Sequence, residues 1–465
     1  MKHETKPVSP AAALAVLRPS ACPGLVRVVA ARDGGLCRIR LPGGVLSAAR
    51  ARALAEAASS HANGVLELTN RANVQIRGVR AGEEAALSAA LIGAGLGPAG
   101  IDAASPIEHA CAADELRNAM LSPLAGLDPD ALCDTTVLAA ALIDMMQREP
   151  RFAALSPKFA LQLDGGERMA MLEHPHDIWL AALPHGATVR FAVGLAGCPK
   201  GRPIGMLAAE DIGASMRALL HAFLDLATKG ETRMRDVLAT HSLDALLQRA
   251  RQHGEFALLR DDAALLAWHR AASPADLRLG AHALHADGSG YVGAQPALGR
   301  IDAPTLRALA ALAQDSGDAT LRVTPWQGVL LPNVAAHAMP AALERLRALG
   351  LVVSRADPLA RLIACTGSTG CAKSRADTKA DAQRLAALLP PDVEAHLTGC
   401  ERSCAAAHCA PFTLLASTPD HYDLYQRDDT QSGCGQRFGQ LIARNLTIEA
   451  AALALAQPPR STQDV

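Results

Sequence analysis

Four cysteines near the C-terminal end carry the most legible chemistry in this chain: Cys365 and Cys371 in ACTGSTGCAKS, then Cys400 and Cys404 in LTGCERSCA. The first pair is spaced C-x5-C and the second C-x3-C, with roughly thirty residues between them. Each pair sits in a Gly-bearing turn, where backbone approaches a bulky inorganic group closely and offers it N–H donors. Four thiolates with such donors around them meet the needs of a 4Fe–4S cube. A zinc knuckle spaces its cysteines by two to four residues, so the five-residue gap argues against zinc. A disulfide framework fits poorly with 11 Cys, an odd number, scattered over a long chain of intracellular character. Plain core cysteines are the remaining alternative, and two Gly-flanked pairs match that least.

The elements that must position these loops follow from the residues between them. Ala372, Ala376, Ala380, Leu385 and Leu388 form an apolar stripe near helical period, which Pro390-Pro391 ends. The segment VEAHLTG then predicts a strand, so the order is cysteine loop, helix, strand, cysteine loop.

Basic and amide residues form a second set. ELTNRANVQIRGV holds Arg71, Asn73, Gln75 and Arg77, and the two-residue strand period places the last three on one face. A polar strand face is often merely solvated. Further along stand Arg117-Asn118 in ELRNAMLSP, Lys158 in LSPKFALQLDGG, and Lys200 with Arg202 in GLAGCPKGRP. Cations drawn from several separate segments are what a polycarboxylate ligand requires.

At 465 residues the chain has room for two to four domains. Hydrophobic residues make up 50% but aromatics only 3%, so the core must be built from Ala, Leu and Val. With 45 basic against 46 acidic residues the net charge is −1, and no global field favours nucleic acid or membrane. The N-terminal MKHETKPVSPAAALAVLRPSACPG is basic at its start, but its apolar stretch is short and Pro-interrupted, unlike a secretory signal. No apolar run approaches the ~20 residues of a membrane span.

The chain also repeats itself. Residues 36–41 predict a strand, followed by a Pro-Gly-Gly turn, a helix over about 47–60, and strands at 65–68 and 73–79. Residues 291–334 match this unit: VLSAARARALAEAA aligns with IDAPTLRALAALA, and LELTNRANVQIRGV with LRVTPWQGVLLPNV. Ser47 and Asp302 occupy corresponding N-cap positions, and Thr69 and Thr324 follow each helix at the same offset. Between the copies, Ala/Leu-rich helices alternate with short strands (FALQLDG, WLAALPH, TVRFAVG), and a final helix is expected near 447–456.

Together these motifs resemble the sulfite/nitrite reductase superfamily, whose C-x5-C and C-x3-C cluster pattern all four cysteines fit. The superfamily carries a T-x-R-x-x-x-Q strand, an R-N pair before a proline, and a P-R/K-K-F-K element, all facing a tetrapyrrole. Here stand Thr69, Arg71 and Gln75, then Arg117-Asn118, then Pro157, Lys158 and Phe159. At the last position Ala160 replaces the lysine that helps bind and protonate an oxyanion in the reductases, which argues against oxyanion reduction. The resemblance implies an α+β fold of two ferredoxin-like half-domains (15–98 and 271–345) and two larger α/β domains (99–270 and 346–465). It implies that Cys365, Cys371, Cys400 and Cys404 hold a 4Fe–4S cluster. It also implies that Arg71, Asn73, Gln75, Arg77, Arg117, Asn118 and Lys158 meet a tetrapyrrole.

Within the superfamily, RIRLPGG, TNRANVQIRG, RNAMLSPLAGLDP, SPKF and CTGSTGCAKSRADTKADA are most similar to the precorrin-3B synthase family. The likeness runs over nearly the whole length and is loosest in 205–280 and after 410. It implies a cytoplasmic monooxygenase of cobalamin biosynthesis. Such an enzyme hydroxylates precorrin-3A at C20 with O2 and γ-lactone closure, supplied with electrons by an external NAD(P)H-dependent donor. No nucleic acid or membrane partner is expected. The family is also associated with a mononuclear non-haem iron. No compact two-His-one-carboxylate pattern is visible, and His396, His408 and Cys409, near the cluster loops, are the candidates. The alternative is a sirohaem-dependent sulfite or nitrite reductase, with Cys404 bridging to the sirohaem iron.

Overall fold

The computed structural model describes residues 22–102, 105–428 and 437–456, and the N-terminal segment read above lies outside them. Among the described residues, 12 α-helices and four five-stranded sheets make up a mixed α and β architecture.

The repeated units fold as the alternation of their residues dictates. In the first, strands Gly34–Ile39, Val65–Leu68 and Val74–Val79 pair antiparallel, and helix Ala48–His61 packs on them. Ser47 caps that helix by accepting from the Arg50 N–H at 3.2 Å, and Asp302 caps helix Ala303–Ser316 from Thr305 at 2.8 Å. Each cap satisfies a donor that the helix itself leaves unpaired.

The halves are not separate. Strand Arg300–Asp302, which belongs in sequence to the second unit, closes the edge of the first sheet beside Val65–Leu68. Strand Val45–Ser47 of the first unit closes the second sheet beside Thr320–Val323. The two helices pack against each other, and one continuous core that includes Ala51, Ala55, Ala58, Ala310 and Ala313 serves both halves. Exchange of edge strands leaves neither sheet an open edge on that side.

The two larger sheets share one strand order. The first runs Ala119–Leu121, Leu161–Asp164, His176–His185, Thr188–Gly197, Gly205–Ala208, and the second runs Leu362–Ala364, Ala395–Thr398, Phe412–Ala416, Tyr422–Gln426, Gln440–Leu446. In both, the first two pairings are parallel and the last two antiparallel. The duplication therefore extends beyond the half-domains.

The predicted helix after Cys371 starts later than its apolar stripe suggests. It spans Thr378–Ala386, because the Asp377 side chain caps it by accepting from the Ala380 N–H. Residues 372–376 stay in the cysteine loop, where Ser374 Oγ donates to the Ala376 carbonyl at 2.8 Å and the Arg375 N–H donates to the Gly399 carbonyl at 2.9 Å.

Candidate functional site

A polar cavity of about 430 Å³ lies where the first half-domain, the first α/β sheet and the cysteine loops meet. Its size is that of a pocket for an organic ligand. Five of the seven residues expected to meet a tetrapyrrole line it: Arg71, Asn73, Gln75, Asn118 and Lys158. A tight turn lifts Arg71 out of the strand line. Thr69 Oγ1 accepts from the Arg71 and Asn73 N–H groups at 3.3 and 3.1 Å, and Ala72 takes φ of 55°. Asn73 Oδ1 accepts from the Leu41 N–H at 2.8 Å, and Asn118 Nδ2 donates to the Phe159 carbonyl at 2.8 Å. Both amides therefore brace the wall as well as facing the cavity. Lys158 is exposed, with no hydrogen bond or ion pair to its ammonium among the described residues.

Arg77 and Arg117 do not line the cavity. Arg77 shares a strand face with Gln75 but is spent on Asp33, at 2.8 and 2.9 Å, and on the Gly370 carbonyl at 2.7 Å. Arg117 is buried and donates to the carbonyls of Leu96, at 2.9 Å, and Arg40. Ala160 is likewise buried and absent from the cavity lining. Its N–H donates to Asp177 Oδ2 at 2.9 Å and its carbonyl accepts from the Asp177 N–H at 3.0 Å. Its methyl group therefore opens no space in the cavity.

Sequence reasoning passed over much of the cavity's charge. Arg38 and Arg40 alternate on strand Gly34–Ile39 and its end, in the RIRL motif, and Arg38 stands opposite Gln75 in the ladder. With its amide oxygen turned to face Arg38, Gln75 accepts at 2.8 and 3.1 Å. Period-two alternation and the Gln75 partner were the available signals. Arg233, Lys379 and Arg402 come from distant segments that no local pattern connects.

Burial first, then the charges of Arg233 and Arg38, pull the Arg71 guanidinium down to about 9. Arg38 is drawn down to about 10, chiefly by burial and next by Arg40. Among the described residues the Arg71 side chain has no hydrogen bond or ion pair. Arg40, Arg233 and Lys379 are balanced by Asp114, Asp177 and Glu67, whereas Arg71, Arg38 and Lys158 have no ion pair among the described residues, and such cations form a site for an anion with several charges.

The cysteine loops form the adjoining wall, with Cys365 and Cys404 lining the cavity and Cys371 and Cys400 outside its lining. All four are free thiols. Cys365 Sγ accepts from the Gly399 N–H at 3.3 Å and lies 3.2 Å from Thr378 Oγ1. Only glycine fits at 399, since a Cβ there would stand 1.6 Å from Ser374 Oγ. The Cys404 thiol is pushed up by burial and then by the charges of Cys400, Cys365 and Cys371, so the four sulfurs lie within electrostatic reach of one another. No three His, Cys, Asp or Glu side chains among the described residues converge as a single metal ion requires. A cube instead takes its thiolates at separate corners, and this donor set fits one.

The first half-domain grips these loops. Arg77 holds the Gly370 carbonyl beside Cys371, Arg32 Nη1 donates to the Ser368 carbonyl at 3.0 Å, and Asn70 Nδ2 donates to the Cys404 carbonyl at 3.3 Å. Glu67 accepts from Thr366 Oγ1 at 2.7 Å, next to Cys365, and from Arg300 Nη2 at 2.9 Å. Burial would raise the Glu67 carboxyl, but Lys379, Arg77 and Arg300 hold it below its usual range.

The iron candidates named from sequence do not converge as a three-ligand group among the described residues, and none of them lines the main cavity. His396 is fully buried in strand Ala395–Thr398 and lines neither cavity, while His408 borders a smaller cleft of about 50 Å³ with Arg278 and Trp326. Cys409 Sγ contacts the Ala410 carbonyl at 3.7 Å. Lys200 pairs with Glu173 at 2.6 Å, outside the main cavity. Cys198 is disulfide-bonded, against the expectation that the cysteines serve metal or catalysis. Among the described residues no helix is long and apolar enough to cross a membrane.

Comparison with known proteins agrees with this architecture. The nitrite/sulfite reductase ferredoxin-like half domain matches residues 30–94 and 284–349, and the nitrite and sulphite reductase 4Fe-4S domain matches residues 112–255. The chain belongs to the sulfite/nitrite reductase superfamily. It is 28% identical over 457 residues to a precorrin-3B synthase of Sinorhizobium sp, covering 94% of this chain and 91% of that protein. It is 29% identical over 409 residues to the chloroplastic ferredoxin–nitrite reductase of Zea mays, covering 82% and 69%. The solved structure of the Mycobacterium tuberculosis NirA protein superimposes with a TM-score of 0.72 at 20% identity, covering 89% of this chain and 78% of that one. These relatives are enzymes, and the matched domain supports an iron–sulfur cluster. The residues matching that domain include only Cys133 and Cys198, whereas both cysteine pairs lie in the second α/β sheet's segment of like strand order.

Proposed function

We propose that the protein is an oxidoreductase acting on an anionic tetrapyrrole, and specifically an O2-dependent hydroxylase of precorrin-3A that forms the C20 hydroxyl and γ-lactone of precorrin-3B. The observation that carries the reading is a cation-rich cavity lined together by Cys365, Cys404 and an Arg71 that has no hydrogen bond or ion pair among the described residues. The near end-to-end match to a precorrin-3B synthase, against partial coverage of the nitrite reductases, supports the finer assignment. So does Ala160, a neutral buried residue where the resemblance calls for an oxyanion-binding lysine.

In this reading Cys365, Cys371, Cys400 and Cys404 hold a 4Fe–4S cluster, which when bound passes single electrons from an external donor. Arg71, Lys158 and Arg38 bind peripheral carboxylates, and Gln75 and Asn118 fix the ring's register. Arg77 acts at one remove, holding the Cys371 loop through Gly370. One oxygen atom enters the substrate, and the other leaves as water with two electrons and two protons. Anaerobic protein supplied with precorrin-3A, reductant and then O2 is expected to consume O2 and yield product heavier by one oxygen. With a strong artificial donor, and even with sirohaem supplied, it should reduce neither sulfite nor nitrite. Efficient turnover of either oxyanion would replace this reading with the sirohaem reductase.

A further inference from the structure

We infer that the smaller cleft, between the second half-domain and the second large sheet, binds a small planar monoanion, a one- or two-carbon carboxylate or bicarbonate. This cleft is the internal repeat's counterpart of the main cavity. Trp326 stands where the first unit has Arg71, in the same kind of turn. Thr324 Oγ1 accepts from the Gly328 N–H at 3.1 Å as Thr69 Oγ1 does from Asn73, and Gln327 takes φ of 61° against 55° at Ala72. The larger sheets correspond as well. Asn118 and Arg361 each precede the first strand of a sheet, and Pro175 and Pro411 each precede the third. The first member of each pair lines the main cavity and the second lines the cleft. Gln327 and Ala405 line both spaces, which therefore share a wall.

The cation that Arg71 brings to the main cavity is supplied here by another segment. Arg278 lays its guanidinium over the Trp326 ring, 4.3 Å from the ring centre. Its Nε is sealed from water without a hydrogen-bond partner, and the side chain has no ion pair among the described residues. The other two arginines of the cleft are already engaged. Arg355 pairs with Glu394 at 2.6 Å and Asp276 at 3.2 Å, and Arg361 donates to the carbonyls of Pro390 and Val393 at 2.7 and 3.1 Å. His408 Nδ1 is likewise sealed and unpartnered, in the same cleft. Buried polar atoms are rarely left so. An anion that accepts from the Arg278 Nε–H and from the imidazole N–H satisfies both.

Room and charge set the ligand class. The cleft holds about 50 Å³, several times the roughly 10–15 Å³ that one water needs and far below the ~300 Å³ of a pocket for a drug-sized molecule. A second tetrapyrrole is therefore excluded, and about three or four heavy atoms fit. Burial draws the Arg278 guanidinium down to about 10, while Glu394 and Glu173 act the other way, so it stays charged at neutral pH. Burial also lowers the His408 imidazole, against Glu173, and keeps it neutral. Both carboxylates have their own partners, Glu394 in Arg355 and Glu173 in Lys200 at 2.6 Å. One uncompensated positive charge remains, which matches a monoanion and disfavours phosphate.

Neither the proposed reaction nor the ligand of the main cavity enters the test. Formate and bicarbonate are titrated separately into protein with its cluster assembled, in a zwitterionic buffer of low ionic strength. Binding is followed by tryptophan fluorescence, to which the Arg278–Trp326 stack contributes, and by calorimetry. Saturable binding of one anion per chain at the fluorescent site is expected, and the tighter of the two identifies the source. Arg278→Gln should weaken it at least about tenfold, as the loss of a charged hydrogen bond does. Arg278→Lys, which keeps the charge but not the planar fork, should fall between. Arg71→Gln should leave this binding unaltered, which separates the cleft from the main cavity. Far-ultraviolet circular dichroism and cluster absorbance check that each variant folds. No saturable binding of either anion, wild-type affinity in both Arg278 variants, or a loss in Arg71→Gln equal to that in Arg278→Gln would overturn the proposal.

Discussion

A guanidinium is useful to an anionic ligand only if its own protein has not already neutralised it. Arg71 meets that condition, and Arg77 and Arg117 do not. Arg71→Ala is expected to weaken binding of a polycarboxylate tetrapyrrole by about 1.5–3 kcal/mol, the range of a hydrogen bond to a charged group, as read by fluorescence or calorimetric titration. Arg117→Ala should behave differently. It leaves the buried carbonyls of Leu96 and Arg40 unpaired, costing about 1–3 kcal/mol of folding stability while folded protein binds the tetrapyrrole with near-normal affinity. Serine at Cys365, Cys371, Cys400 or Cys404 should in each case abolish the brown absorbance of the cluster, because a hydroxyl is a poor substitute for thiolate. Loss of colour on changing Cys409 but not Cys404 would move the last ligand.

Elements are held by contacts that composition does not display. In the first α/β domain, helix Ile212–Leu226 presents Asp225 to three cationic or titratable partners. Burial would raise this carboxyl, but Arg151, His253 at 2.6 Å and Arg249 at 2.5 Å lower it from 3.8 to about 2. A depressed folded value means that its stabilisation is complete above the unfolded value and is lost as pH falls through the folded one. Asp225→Asn should therefore destabilise the protein at pH 7 by about 1.5 kcal/mol, the low end for charged hydrogen bonds because its arginine partners are half exposed. In denaturant titrations at descending pH the difference should shrink between about 4 and 2, and a difference that is constant across that window would contradict the assignment. The cysteine loops depend on a similar contact between elements: Arg77 and Asn70 reach them from the first half-domain, so the cluster is positioned by a unit that supplies none of its thiols.

At the scale of the molecule, the exchange of strands makes the two half-domains one folding unit. Gly44 sits at the crossing with φ of 71°, and a Cβ there would stand 2.1 Å from the Val323 carbonyl. Gly44→Ala is expected to cost more than about 1 kcal/mol, to lower the thermal midpoint, and to loosen both small sheets together in hydrogen exchange. Protection lost in only one half would show that they fold independently. Glu67 ties the same exchange to the cluster loop, since Arg300 and Thr366 meet on its carboxylate.

The chain's residues alone determined the cysteine pairs, the repeated strand–helix–strand–strand unit with its Ser47 and Asp302 caps, and the Arg71, Gln75 and Lys158 side of the cavity. Each depends on local spacing, and local spacing survives translation into strands and turns. Only the tertiary structure decided which cations remain free, because that depends on carboxylates and carbonyls far along the chain, as Arg77 with Asp33 and Arg117 with Leu96 illustrate. It also decided the strand exchange, which pairs residues more than two hundred positions apart, such as Arg300 with Glu67.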